Sequence, residues 1–242
     1  MLKVELHAHT NLDPVDRIAH STEQLIDRAC ALGYGALAVT LHDKYFDPAP
    51  FLEYAKARGL VLMSGVERTV GGKHLLLVNF PPEAAAVRTV EDVAALKVRS
   101  EGLVIAPHPF FPAPTALGQA INAWKDVIDA VEINAMYTRH VDFNRKAVAW
   151  ALQHRRPLVG NSDVHVLEQL GTTYSLVDAE PRADAICEAI RAGRVRVRTE
   201  PLSWVRTGTT FVQMAVRGLI GRLGWAGEKA NHGGHGGKPP SS

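Results

Sequence analysis

The chain has 242 residues, 46% of them hydrophobic and 21% charged, with a net charge of +2. That is enough for one large α/β domain or two small ones, and the charge balance excludes a strongly basic nucleic-acid binder as the default. The N-terminus lacks an apolar leader and no run of eighteen apolar residues occurs, so the reading is a cytoplasmic chain with no transmembrane segment.

In chain order, residues 3–6 (KVEL) read as a strand and 21–33 as a helix, with Ser21 as N-cap, Gln24 at the capping-box position and Gly33 as the stop. A strand is expected at 36–40, a short helix at 48–59, and strands at 60–67 and 74–80. A helix follows at 89–102, with Thr89 and Asp92 as an approximate capping box, then a strand at 103–107 and a helix near 115–125. The remainder reads as strand 130–134, helix 140–154, strand 157–161, strand 172–177, helix 182–192 and strand 194–199. Runs such as LVIAP and PLVGN are apolar throughout, which suits strands covered on both faces. The alternation amounts to roughly seven β–α units, compatible with a closed or nearly closed β/α barrel or with a doubly wound open sheet. No GxGxxG follows the first strand and no P-loop motif occurs, which disfavours a nucleotide-binding Rossmann or P-loop fold. Cys30 and Cys187 fall in helical segments without metal-ligand spacing and read as free thiols.

The division is a body over 1–202, an amphipathic helix over 203–225 and a Gly-rich disordered tail over 226–242. The helix would pack on the body or mediate self-association; Arg206, Arg217 and Arg222 beside apolar residues also admit a membrane-surface role.

Polar groups recur where strands end. His7 and His9 follow KVEL, His42 and Asp43 follow ALAVT, Glu67 ends LVLMSGV, His108 follows LVIAP, and Asp163 and His165 follow PLVGN. Residues two apart on an extended chain point to one side, so His7 with His9, and Asp163 with His165, can aim at one point. The Gly71-Gly72 hairpin signal returns His74 to the end of the body that holds Glu67. A lone histidine is usually unremarkable, and His20, His140 and His154 are read so, with His140 also a candidate to reach the site. Imidazoles and carboxylates gathered from several strands are a metal site, because burying them together without a cation leaves polar groups uncompensated.

The segments LHAHT, VTLHD, GVE with HLLL, APHP and NSDVH, in that order over residues 1–200, resemble the PHP (polymerase and histidinol phosphatase) domain. The resemblance implies an α/β fold of distorted seven-stranded β/α barrel type, similar to a TIM barrel, with two or three divalent ions (Zn, Mn or Fe) and hydrolysis of phosphate esters. Carried over residue by residue, it implies His7, His9, His42, Glu67, His74, His108, Asp163 and His165 as metal ligands, with Glu67 bridging two ions. The first-loop ligand is assigned to Asp13, with Asp16 as rival. Glu67, His108 and Asp163 are the candidate catalytic residues. Leu41 stands where many members carry Asp, a departure expected to affect how His42 is oriented. Lys44, Arg68 and Arg139, with Arg17 a further candidate, are the cations expected to contact a small phosphorylated substrate. No stable nucleic-acid partner is expected. The alternatives are an amidohydrolase-like metallohydrolase, disfavoured because no lysine occupies a strand end, and a non-catalytic PHP-like domain, disfavoured by the full ligand set.

Overall fold

A computed structural model describes residues 1–202. The expected helix over 203–225, its self-association and the tail over 226–242 lie outside the described residues. Among the described residues ten strands form: β1 Leu2–Glu5, β2 Ala36–Ala38, β3 Val61–Met63, β4 Gly65–Val70, β5 Lys73–Val78, β6 Leu103–Ala106, β7 Ala130–Asn134, β8 Leu158–Asn161, β9 Thr173–Val177 and β10 Val195–Thr199. The helices are α1 Thr22–Ala31, α2 Leu52–Lys56, α3 Val90–Val98, α4 Ala120–Ala123, α5 Asn144–Gln153 and α6 Ala183–Arg191. Ser21 and Thr89 cap α1 and α3 through complete capping boxes with Gln24 and Asp92.

The strands make two five-stranded sheets, β10-β9-β1-β2-β3 and β4-β5-β6-β7-β8, and not one seven-stranded barrel. Parallel pairs (β1 with β2, β2 with β3, β6 with β7, β7 with β8) alternate with antiparallel ones (β1 with β9, β9 with β10, β4 with β5, β5 with β6). The segment 60–67, expected as one strand, is broken at Ser64, so that β3 ends the first sheet and β4 begins the second. Ser64 leaves both ladders: its hydroxyl donates to the carbonyl of Phe80, and its own carbonyl accepts from the amide of Asn79. The helices expected near 48–59 and 115–125 shrink to α2, preceded by a 3₁₀ turn at Ala49–Phe51, and to the four-residue α4.

Two seams join the sheets through isolated bridges. At one, His42 pairs with Glu67, and the amides of Glu67 and Asp43 donate to the carbonyls of Leu41 and Glu67 at 3.0 and 2.9 Å. At the other, Ala8 pairs with Val164: the amide of His9 donates to the carbonyl of Val164, and that of Val164 to the carbonyl of His7. Each seam places backbones so close that a side chain would not fit. A Cβ on Gly65 would stand 2.7 Å from the Val39 carbonyl oxygen, and one on Gly160 would stand 2.8 Å from that of Tyr174.

Strand alternation sorts the core. Leu76, Val78, Leu103, Ile105, Ala130 and Val159 face inward to a cluster that also holds Val4, Met63 and the apolar side of α6. Their neighbours Leu75, Leu77, Val104 and Val131 face outward against α3, α4 and α5. Helices α1 and α2 cover the first sheet through Leu25, Ile26, Ala55, Leu37 and Val39. Glu67, His74 and Glu132 lie on the inward face, above the apolar cluster.

Candidate metal centre

The nine residues expected as ligands converge on one place, beside the two seams. His7 and His9 leave β1 fully buried, and His42 leaves the β2 side of the first seam. Glu67 lies inward on β4. In the β4–β5 register Glu67 opposes Leu76 and Thr69 opposes His74, so His74 is Glu67's diagonal neighbour, with Nδ1 2.7 Å from Glu67 Oε1. His108 and Asp163 come just after β6 and β8, with φ of 54° and 53°. Non-glycine residues in this left-handed region carry strain that the surrounding structure must hold, and such strain concentrates at functional sites.

Glu67 is the centre of the cluster. Its Oε2 lies 3.1 Å from His7 Nε2 and 3.3 Å from Nε2 of both His9 and His42. Its Oε1 faces His74 and, at 3.5 Å, Nε2 of His108. The two oxygens thus serve two sets of imidazoles, an arrangement suited to a carboxylate shared by two cations. Asp163 Oδ1 lies 3.3 Å from His7 Nε2, 3.6 Å from His9 Nε2 and 3.4 Å from His165 Nδ1. Trios with ligand atoms close enough to hold one ion include His7–His9–Glu67, His9–Asp163–His165, His42–Glu67–His74 and His9–Asp13–His42.

The first loop supplies both of its carboxylates. Asp13 Oδ2 lies between Nδ1 of His9 and Nδ1 of His42, at 2.9 and 3.0 Å, and accepts the His42 amide. Its Oδ1 accepts the amides of Val15 and Asp16, which fixes the loop. Asp16 Oδ2 meets His165 Nε2 at 3.1 Å and stands 3.8 Å from His42 Nδ1. Leu41 turns its side chain into the core, so the orientation of His42 rests on Asp13. His20, outside the cluster, holds the loop by a ring-nitrogen hydrogen bond to the carbonyl of His9 at 2.8 Å.

Sequence reasoning missed Glu132. It is fully buried on β7, and its Oε2 lies 2.8 Å from His7 Nδ1 and accepts from Asn161 Nδ2 at 2.9 Å. Asn134 Nδ2 donates to Glu132 Oε1 at 3.0 Å. Glu132 thereby fixes the face that His7 shows to Glu67, as carboxylates behind metal-binding imidazoles do. The available signal was a lone carboxylate inside the apolar run AVEIN. Glu5 was missed as well. Buried, it accepts the amides of His7 and Ser162, and burial pushes its carboxyl up to about 8 against those hydrogen bonds.

Charge is shared across the cluster. Burial opposes a proton on His7, yet Asp163, Glu132 and Glu67 outweigh it and hold the imidazole well above its ordinary value. His9 behaves likewise under Asp13, Asp163 and Glu67, and Glu67 raises His108 against its burial. Burial would raise Glu67 and Asp163, but the facing imidazoles hold both well below the usual carboxylate range. Protons here stand where cations would. His9 Nε2 is the test of fit: buried, facing Glu67 and Asp163 oxygens at ion-pair distances, it makes no hydrogen bond. A lone nitrogen aimed at two carboxylates from such distances suits an ion placed between them. Imidazole and carboxylate donors without thiolate suit Zn, Mn or Fe.

The expected substrate-binding cations are placed differently. Arg68 is committed to the fold, donating to Asp43 Oδ1 and to the carbonyl of Val87, both at 2.7 Å. Lys44 donates to the carbonyl of Leu12 in the first loop at 3.2 Å. Arg139 is exposed in the segment after β7, and Arg17 is exposed in the first loop.

A family model described as PHP-associated matches residues 142–195, which include Asp163 and His165. Over 67 residues the chain is 37% identical to an error-prone DNA polymerase of Nocardia farcinica, a match spanning 28% of this chain and 6% of the polymerase. Both matches, each over part of the chain, agree with the likeness of its motifs to the PHP domain. Among solved structures, PsfC from Pseudomonas syringae shares this chain's fold with a TM-score of 0.64 at 16% identity, over 90% of this chain and 98% of that one. An amidohydrolase from Chromobacterium violaceum aligns at TM-score 0.53 and 17% identity, over 67% of this chain and 87% of its own. A lesion-specific endonuclease from Pyrococcus furiosus aligns at 0.56 and 17% identity, over 81% of this chain and 57% of the endonuclease. At these identities the likeness is one of fold.

Proposed function

We propose that this chain is a PHP-type, metal-dependent hydrolase of phosphate esters, acting on a small phosphorylated substrate through two or three divalent ions. The observation that carries the reading is Glu67, whose two oxygens each face a separate group of imidazoles. His7, His9, Glu67 and Asp163 would hold one ion, and Glu67, His74 and His108 a second. Asp13 or Asp16, with His42 and His165, would hold a third if one binds. Such ions neutralise phosphoryl oxygens and make water nucleophilic at neutral pH. The chain's own contribution is to fix the donors: Glu132 orients His7, Asp13 orients His9 and His42, and the strained turns at His108 and Asp163 aim those side chains inward. Arg139, Arg17 and Lys44 are exposed cations in the loops and are the candidates to meet a phosphate.

The test is to load the purified protein with Mn²⁺ or Zn²⁺, count bound ions by elemental analysis, and follow phosphate release from monoesters, diesters and oligonucleotides. Glu67→Gln should lower kcat/KM on the best ester by more than about 100-fold and reduce the metal count. Fewer than two ions per chain, with no ester cleaved, would refute the assignment. Cleavage confined to oligonucleotides would move the substrate class to nucleic acid.

A further inference from the structure

The seam between His42 and Glu67 runs one step further than its backbone does. The bridge there is parallel: the Glu67 amide donates to the Leu41 carbonyl, and the Asp43 amide donates to the Glu67 carbonyl. In a continuing parallel ladder the next rung would run from the Thr69 amide to the Asp43 carbonyl. Asp43 instead turns into the left-handed region, with φ of 52°, and the Thr69 amide donates to its side chain, 2.7 Å from Oδ1. The Thr69 hydroxyl donates to Oδ2 at 2.9 Å, and Arg68 Nη1 donates to Oδ1 at 2.7 Å. The carboxylate thus completes a ladder that the backbone leaves.

Few residue types suit this position. Aspartate and asparagine tolerate left-handed backbone better than most residues with a Cβ, and each has a short side chain ending in an acceptor. What the rung holds is the strand that carries Glu67. On its other edge β4 is paired with β5, where Thr69 opposes His74. His42 and His74, which face the two Glu67 oxygens, therefore stand on backbone that the rung joins: His42 directly precedes Asp43, and His74 lies across from Thr69.

Resting on the metal-dependent reading above, we propose that Asp43 is a positioning residue for the metal centre. Its carboxylate, standing in for a backbone carbonyl, holds Glu67, His42 and His74 in the arrangement that a cation needs. Its oxygens are engaged by Thr69 and Arg68, so it acts through those three side chains.

The experiment measures Mn²⁺ affinity of the full-length protein by competition with a fluorescent chelator, for wild type, Asp43→Gly and Asp43→Asn, and the melting temperature of each in EDTA. Glycine suits the left-handed turn, so the chain still folds, but the rung is gone. Asparagine keeps both the turn and an oxygen for the Thr69 amide, and loses the charge that faces Arg68. Asp43→Gly should weaken Mn²⁺ binding by about ten-fold or more, and Asp43→Asn should recover most of that loss. Where esters are cleaved, kcat/KM should follow the same order. Equal losses for the two variants would credit the charge on Asp43 and overturn the rung. A lower melting temperature for Asp43→Gly with unchanged Mn²⁺ affinity would assign Asp43 to stability alone and overturn the proposal as well. Two failures are separable. Wild-type protein that takes up no Mn²⁺ refutes the metal reading and this proposal together, whereas uptake that Asp43→Gly leaves intact refutes this proposal alone.

Discussion

At the residue scale, the centre depends on carboxylates that hold imidazoles in place. Glu132 fixes His7 through Nδ1, while Asp13 fixes both His9 and His42. Removing such a partner usually costs about 10–100-fold in metal affinity. Glu132→Gln should therefore weaken Mn²⁺ binding by that amount while leaving the far-ultraviolet circular dichroism spectrum intact. Asp13→Asn should cost more than Asp16→Asn, because Asp13 orients two imidazoles and Asp16 meets one from a side chain 44% exposed. Equal losses in a competition assay with a fluorescent chelator would contradict this division of labour. Glu5 gives a pH signature. Its carboxyl has an ordinary value of 4.5 and is pushed up to about 8 by burial, so between those values the folded chain holds a proton that the unfolded chain has released. Its contribution to stability is full below 4.5 and declines as pH rises toward 8. In chelated protein, the melting temperature of wild type relative to Glu5→Gln should fall between about pH 5 and about pH 8. A pH-independent difference would show that Glu5 does not titrate in this window.

At the element scale, the seams between the sheets form the site, and glycine makes the seams. Added methyl groups at Gly65 or Gly160 would press on backbone carbonyls at 2.7 and 2.8 Å, which only a backbone shift can relieve. Gly65→Ala and Gly160→Ala should each destabilise the fold by about 1–3 kcal/mol, read by urea denaturation. Gly65→Ala should also weaken metal binding, because it shifts the strand that carries Glu67. These seams explain what the sequence disclosed and what it concealed. The converging side chains were legible because a histidine or carboxylate after an apolar run breaks a simple pattern; so were the α1 and α3 caps, which are local. The break at Ser64 was not legible, since LVLMSGVE has uniform strand character and only contacts with Asn79 and Phe80 turn it. Glu132 escaped because it lies inside a strand and acts on His7 from 125 positions away. The pairing of Arg68 with Asp43 is another distant contact that spacing does not encode.

At the scale of the whole molecule, two sheets converge on one buried cluster of imidazoles and carboxylates. In the arrangement described, imidazoles hold protons that neutralise Glu67, Asp163 and Asp13. A divalent ion bound in the cluster would replace those protons with fixed charge, held by side chains that leave β1, β2, β4 and β8. Because the unfolded chain offers no such convergence, binding acts on the folded state alone and raises its stability. At a free concentration about 100 times the dissociation constant the gain is about 2.7 kcal/mol, or a rise in melting temperature of about 5–10 °C for a chain of this size. Mn²⁺ is the ion for the test, since it has little affinity for unfolded chains. EDTA should reverse the rise, and Asp163→Asn should diminish it. The gain should also shrink below about pH 6, where protons compete for the imidazoles. A melting temperature indifferent to Mn²⁺ at neutral pH would mean that protons alone hold the cluster together, leaving the converging strands no cation to serve.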